Sequence, residues 1–410
     1  MGSPRNLVAV VCAAQVLVQI GAFFWPALLP TMMPLWSLTN SEAGWITAIF
    51  YGAYMLAVPV LVTLTDRVDA KKVYLFGVAA TVIGHSLFAL YANGFWSAMG
   101  ARALTGIGWA GTYMTGLKLL ADRVDGKLMS RATAGHAASI GVSGALSFAC
   151  GDAIAQAAGW QAAFFVAAIT AAVAWMLILL VFPARQVPVH SAPPDSRLYD
   201  FRPVFRNRSA MAYAMAYCIH TLEMNALRGW GVVFLGYVAA STGSSQEGLF
   251  SPALVATALG LVGTMASVIG NETAIRFGRR RLIVVAMMVS IVLAVAVGTI
   301  GQRSYGLAAL LLTFYGLFIW LDSSSLTAGA AGTADPAKRG ATLAVHSMLG
   351  YAGGFVGPLL IGWILDLGGG MSQRGWALSF LAIAGLMACA LAMFCAIRPR
   401  ELEGDRNAAT

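Results

Sequence analysis

The sequence predicts an all-α integral membrane protein with twelve transmembrane helices, arranged as two six-helix halves. Three observations predict it. Of 410 residues, 59% are hydrophobic and only 10% charged, with a mean hydropathy of +0.75. A soluble domain carries roughly 25% charge and 45–50% apolar residues, so that class is excluded. At about 20 residues per crossing, the apolar content suffices for about twelve spans. The second observation is the placement of the cations, and the third an internal repeat.

Apolar runs occupy residues 7–29, 44–64, 73–91, 96–120, 132–156 and 161–182. Six more follow at 210–238, 252–273, 282–300, 305–330, 341–365 and 375–397. The first is too long for a signal-peptide core and reads as an uncleaved span. This gives a first bundle over 1–182, a linker over 183–208, a second bundle over 209–397 and a tail over 398–410. The linker holds five prolines and five arginines. With both termini cytoplasmic, 22 of the 26 Lys and Arg fall on the cytoplasmic side. Arg303 and Arg374 fall outside, and Arg102 and Arg228 within the membrane. That asymmetry is the positive-inside pattern, and it explains the basic pI without nucleic acid. The five cysteines lie in apolar runs, with no metal or disulfide spacing.

The halves echo each other at corresponding loops. DRVDAKK (Asp66–Lys72) is matched by IRFGRRR (Ile275–Arg281), and RATAGH (Arg131–His136) by RGATLAVH (Arg339–His346). GWQAAFF (Gly159–Phe165) is matched by GWALSF (Gly375–Phe380). Duplicated six-span halves are the signature of a transporter with a midplane cavity between its repeats.

Individual residues carry the resemblance further. Leu64, Asp66, Arg67, Lys71 and Lys72 fit the motif G-x-L-x-D-R-x-G-R-R, from which Val62, Asp69 and Ala70 depart. Arg276, Gly278, Arg279 and Arg280 form a second copy, with Ile275 in place of the acid. Arg102, Gly106, Gly108 and Gly111 fit R-x-x-x-G-x-G-x-x-G in span four. On these motifs the chain resembles the major facilitator superfamily over essentially its whole length. The resemblance implies two pseudo-symmetric bundles, a central cavity, alternating access, and a cytoplasmic gate at Asp66, Arg67 and Arg276. Span five (Gly141–Gly151) lacks the Gly-Pro of the family's antiporter motif, which argues for symport. For Lys71 and Lys72 a solvated loop is the better reading.

Charge inside the bilayer is costly and marks function by default. In span four, Arg102, Thr105, Trp109 and Tyr113 share a helical face. That face suits either an anion-binding cavity wall or an arginine bonded to carbonyls of span one. Gln15 and Gln19 in span one are one turn apart and could line the same cavity. Span seven places His220 and Glu223 on one face near the midplane. Loss of water favours the protonated form of a carboxyl group, and histidine titrates near neutrality. Arg228 is five residues beyond Glu223, roughly 140° around the helix, too far for a direct pair on a straight helix. Asp322, in WLDSSS (Trp320–Ser325), is the second buried acid, open to proton, cation or salt-bridge duty. Gly353, Gly354 and Gly357 in span eleven read as packing residues.

These residues point to a proton-coupled secondary transporter of a small organic anion. Glu223, His220 and Asp322 carry the proton; Arg102, Arg228, Trp109, Tyr113, Gln19 and Trp320 meet the substrate. The alternative is a proton-driven efflux antiporter for drugs or for hydrophobic or cationic compounds. No phosphate loop, metal cluster or catalytic triad appears in the sequence, so neither an enzyme nor a cofactor is expected, and the proton gradient is the energy source. The expected setting is a monomer in a bacterial inner membrane.

Overall fold

The computed structural model describes residues 4–65, 67–124, 126–184, 201–244, 251–402 and 405. Asp66 and most of the linker lie outside the described residues. Among those described the structure is helical throughout, apart from short connections.

The first helices are α1 (Pro4–Gln19), α2 (Phe24–Leu35), α3 (Asn40–Leu64), α4 (Ala70–Tyr91) and α5 (Phe95–Ala121). Helices α6 (Gly126–Ala158) and α7 (Trp160–Val181) complete the first set. The second comprises α8 (Arg202–Arg206), α9 (Arg208–Thr242), α10 (Pro252–Phe277), α11 (Arg279–Thr299) and α12 (Tyr305–Leu321). It ends with α13 (Ser323–Gly332), α14 (Arg339–Leu367) and α15 (Gln373–Ile397). Two of the twelve expected spans are each broken in two, the first into α1 and α2 and the tenth into α12 and α13.

Among the described residues, ten segments are long and apolar enough to cross a membrane. Helices α5 and α9 complete the twelve by length. They fall short in apolarity because they carry Arg102 and Lys118 in one, and His220, Glu223 and Arg228 in the other. The helices that test worst as spans are thus the ones the sequence marks as functional.

The chain forms two compact units, 1–38 with 45–192, and 39–44 with 193–410. The division falls inside the expected linker. The second unit also takes in Thr39–Gly44, whose Asn40 Nδ2 and Ser41 N donate to the Asp366 carboxylate at 2.7 and 2.8 Å. In the first unit, Leu7, Val11, Tyr74, Leu119 and Phe182 belong to one buried apolar cluster. In the second, Trp230, Phe234, Trp376 and Phe380 stack edge to face, with Phe234 5.2 Å from Trp376 and 5.1 Å from Phe380. Such aromatic pairs add about 0.5–1.5 kcal/mol beyond their burial.

Polar side chains fix where helices begin. Asp69 accepts from Lys71 N at the start of α4, and Asn207 from Ala210 N at the start of α9. Ser251, Ser304 and Ser372 cap α10, α12 and α15 in the same way. Each cap satisfies a backbone donor that the helix leaves unpaired, worth about 1 kcal/mol. The sequence echo at the sixth spans hides different geometry. Gly159 has φ of +89°, which admits glycine readily, whereas Gly375 lies inside α15 against the Gly370 carbonyl. In α14, a side chain at Gly353 or Gly357 would strike the Cys218 or Leu222 carbonyl of α9. These two glycines therefore serve close helix packing, as their spacing suggests.

Candidate functional site

Each unit walls in its own polar cluster. In the first unit, span one unwinds over residues 20–23 between α1 and α2. Unwinding leaves backbone carbonyls without helical partners, and inside a membrane these must be met internally. Arg102 meets one of them: its Nη1 donates to the Ala22 carbonyl at 3.2 Å. The guanidinium also lies 4.5 Å from the centre of the Phe50 ring. Arg102 is 1% exposed, and its Nε has no hydrogen-bond partner among the described residues. Of the two readings of Arg102, the bond to a span-one carbonyl is present.

Around it sit the other residues expected on this face. Trp109 packs 4.7 Å from Phe50 and 6.1 Å from Phe23. Its ring N–H and the Gln19 side-chain oxygen lack partners among the described residues. Gln19, Thr105 and Trp109 line a small cavity together with His85. His85, a fully buried histidine of α4 not singled out from the sequence, carried a legible signal as an imidazole in an otherwise apolar run. Gln15 lies apart from this cavity, accepting from the Tyr74 hydroxyl at 3.2 Å. Tyr113 is turned toward α6, stacked on His136, whose Nε2 lies 2.9 Å from the Tyr113 carbonyl. Tyr113 thus belongs to a different neighbourhood from Gln19 and Trp109.

The second unit is built differently. The single residue interrupting α12 and α13 is Asp322. Its Oδ1 lies 2.9 Å from His220 Nδ1 of α9, with both residues nearly sealed from solvent. Tyr217, one turn before His220, stacks on it at 5.5 Å and on His346 of α14 at 4.0 Å. His346 Nε2 in turn lies 3.1 Å from the Thr327 hydroxyl. Glu223 is buried at 1% exposure, with the Tyr315 hydroxyl as its neighbour. Neither of its oxygens receives a well-aligned hydrogen bond among the described residues. An unsatisfied buried polar group costs about 1–3 kcal/mol, more when charged, so such a site selects for function or for the neutral acid. Arg228 lies 4.9 Å over the Trp320 ring. His220, Glu223 and Asp322 are therefore gathered by the fold, and Arg228 and Trp320 form a second pair in the same unit. Tyr217, Tyr315, Thr327 and His346 join the cluster although sequence spacing did not connect them to it.

Of the residues expected at a cytoplasmic gate, Arg67 and Arg276 are among those described. Asp66 is outside the described residues. Arg67 and Arg276 are exposed at helix ends. The buried ion pairs are made by neighbours instead. Asp69, a departure from the motif, pairs with Arg123 at 3.1 Å, and Arg123 also donates to the Pro183 carbonyl. Lys71 is no free loop cation, since its Nζ donates to the Leu179 and Phe182 carbonyls at the end of α7. There it also complements the negative end of the helix dipole. In the second unit Arg279 forms a two-pronged pair with Asp405, at 3.0 and 3.1 Å. Glu401 accepts from the backbone N–H groups of Arg279 and Arg280 at 3.0 and 3.1 Å. Glu401 and Asp405, expected in a cytoplasmic tail, are thus bound to the start of α11, and the Arg400 backbone to Ser209 and Tyr213 of α9.

Membrane-spanning helices that enclose buried ionisable clusters define a polytopic membrane carrier. The chain belongs to the Major Facilitator Superfamily, whose model matches residues 11–321 and 232–410. It is a membrane transporter of small solutes. Protein spinster homolog 1 of Homo sapiens is 26% identical, over 93% of this chain and 76% of that protein. The sphingosine-1-phosphate transporter SPNS2 of Xenopus tropicalis is 25% identical, over 85% of this chain and 72% of that protein. In fold, the chain is similar to a bacterial homolog of the human lysosomal transporter Spinster in its inward-facing, occupied conformation. The TM-score is 0.78 at 14% identity, covering 99% of both chains. The nucleoside transporter NupG is similar as well, with a TM-score of 0.74 at 14% identity, over 96% of this chain and 99% of that one.

Proposed function

We propose that this transporter couples the movement of a small organic anion to protons, in the symport direction, by alternating access. The observation that carries the reading is the buried cluster of His220, Asp322 and Glu223 in the second unit. A carboxyl group held away from water beside an imidazole exchanges protons at modest cost. Glu223 is the proton carrier, because its oxygens have the poorest hydrogen bonding of the buried acids. His220 Nδ1 and Asp322 Oδ1 lie 2.9 Å apart beside it. Proton loss from Glu223 alters the balance of charge in a low-dielectric bundle, where each charge matters most.

Anion recognition falls to the guanidinium groups. Arg228 over Trp320 and Arg102 over Phe50 are cations backed by aromatic faces. Arginine presents a planar fork that matches carboxylate and phosphate oxygens. A relative named for sphingosine-1-phosphate fits an anionic cargo. Trp109 and Gln19 contribute further contacts beside Arg102 in the first unit, and Trp320 beside Arg228 in the second. The protein works as a monomer in a bacterial inner membrane with both termini in the cytoplasm, with the proton gradient as its energy source.

Uptake into proteoliposomes tests this reading, with labelled carboxylates and organophosphates offered with and without an inward proton gradient. The gradient is expected to accelerate uptake of at least one anion severalfold. Equal uptake in both conditions would remove proton coupling; export driven by the same gradient would make the protein an antiporter.

A further inference from the structure

The proton cluster is not the only charged feature of the second unit. The start of α11 and the end of α15 together form an open cavity of about 570 Å³. Its lining includes Arg280, Arg281, Arg398 and Glu401, with Val284 and Phe394 as apolar wall. The carboxylate of Glu401 is already engaged by two backbone N–H groups at the start of α11. Among the described residues, no carboxylate forms an ion pair with Arg280, Arg281 or Arg398. Among the described residues, three guanidinium groups thus converge on one opening whose single acid is already held by backbone N–H groups.

The apolar surroundings say what kind of anion fits. Arg281 begins an exposed stripe that continues along α11 through Val285, Met288 and Val292, at 41, 46 and 66% exposure. These positions are spaced as one helical face. On the adjoining α15, the exposed line Gly385, Ala388, Ala392 and Cys395 is made of small residues. A bulky apolar stripe beside a line of small residues makes a shallow path for an acyl chain. The cations sit at its end, at the level where basic residues close the cytoplasmic side of the spans. Basic pockets between helices on that side suit anionic lipid head groups.

We infer that the cavity between the start of α11 and the end of α15 is a binding site for the phosphate head group of an anionic phospholipid. Arg280, Arg281 and Arg398 clamp the phosphate, and the chains run along the exposed faces of α11 and α15. A bound lipid would also tie α11 to α15 beside the segment that Glu401 and Asp405 hold in place. The inference rests on the membrane-spanning fold and is independent of proton coupling or cargo.

Native mass spectrometry of the full chain in detergent tests it, using phosphatidylglycerol and phosphatidylcholine with identical acyl chains. Phosphatidylglycerol should be retained at least about fivefold better. The double variant R281Q/R398Q should erase that preference while keeping the lipid-free melting temperature, because both side chains are exposed. If the double variant loses its fold, each single variant carries the test, with an expected loss of about threefold. Equal retention of the two lipids, or an unchanged preference in the variants, overturns the site. Displacement of the lipid by millimolar inorganic phosphate would identify a soluble-anion site and overturn the lipid assignment.

Discussion

The first unit buries a cation and answers it with backbone; the second buries two acids and surrounds them with side chains that can themselves bind protons. Arg102 reaches the carbonyl that a broken span one exposes, and stacks on Phe50. Asp322 sits at the break itself, facing His220, with Glu223 one turn further along α9. The first unit thus sets its buried cation against a fixed backbone dipole. The second unit instead gathers an imidazole and two carboxyl groups, and the proposed proton coupling rests on these. The halves share a fold by duplication and differ in what their cores can do.

The comparison breaks first at Glu223. Glu223→Gln keeps size and polarity but cannot release a proton. It should abolish gradient-driven uptake while leaving exchange of labelled for unlabelled solute intact. An unchanged gradient response would take Glu223 out of the coupling step.

Next in size is Asp322→Ala. Removing one partner of a buried pair costs about 3–5 kcal/mol, and here it also deprives the α12–α13 break of its occupant. The melting temperature in detergent should fall well below that of the parent. A loss of less than about 1 kcal/mol, on the scale of exposed pairs, would mean that the His220–Asp322 contact does not hold the bundle.

Arg102→Ala should cost less in the first unit, about 1–3 kcal/mol, the penalty for leaving the Ala22 carbonyl unsatisfied. Uptake should fall through a raised KM for the anion, while the transport that remains keeps its response to the proton gradient. If Arg102→Ala instead eliminates coupling as completely as Glu223→Gln, the division of labour between the units fails.

The smallest separable contribution is the cap that Asp69 supplies. Asp69→Ala removes both the cap of α4 and the partner of Arg123, costing about 1 kcal/mol through the cap alone. Asp69→Asn, which can still cap, should recover part of that loss in a thermal melt. No difference between the two variants would show that the ion pair outweighs the cap.

Much of this contrast was legible in the sequence because charge inside an apolar run is rare and conspicuous. Arg102, His220, Glu223, Arg228 and Asp322 stand out without any structure. What one dimension could not supply was partnership. The contact of His220 with Asp322 spans about a hundred residues, and no periodicity within one helix encodes it. The breaks at 20–23 and at Asp322 were only partly marked: Pro26 follows the first and the polar run Asp322–Ser325 holds the second, but hydropathy does not register where the backbone leaves the helix. Tyr113 shared a helical face with Trp109 yet turns toward His136, because a face is wide enough to touch two neighbours. The role of Asp69 was obscured by the motif itself, in which the position reads as a lost glycine rather than a gained cap. Likewise the residues after α15 read as polar tail, although Glu401 and Asp405 bind the start of α11.

The central claim is that the second unit carries the proton. Proteoliposomes loaded with a pH-sensitive dye and supplied with the transported anion test it directly. The wild-type protein should acidify the lumen as solute enters, and Glu223→Gln should admit solute by exchange with no change in the dye signal. Solute-dependent acidification by Glu223→Gln equal to that of the wild type would contradict the account.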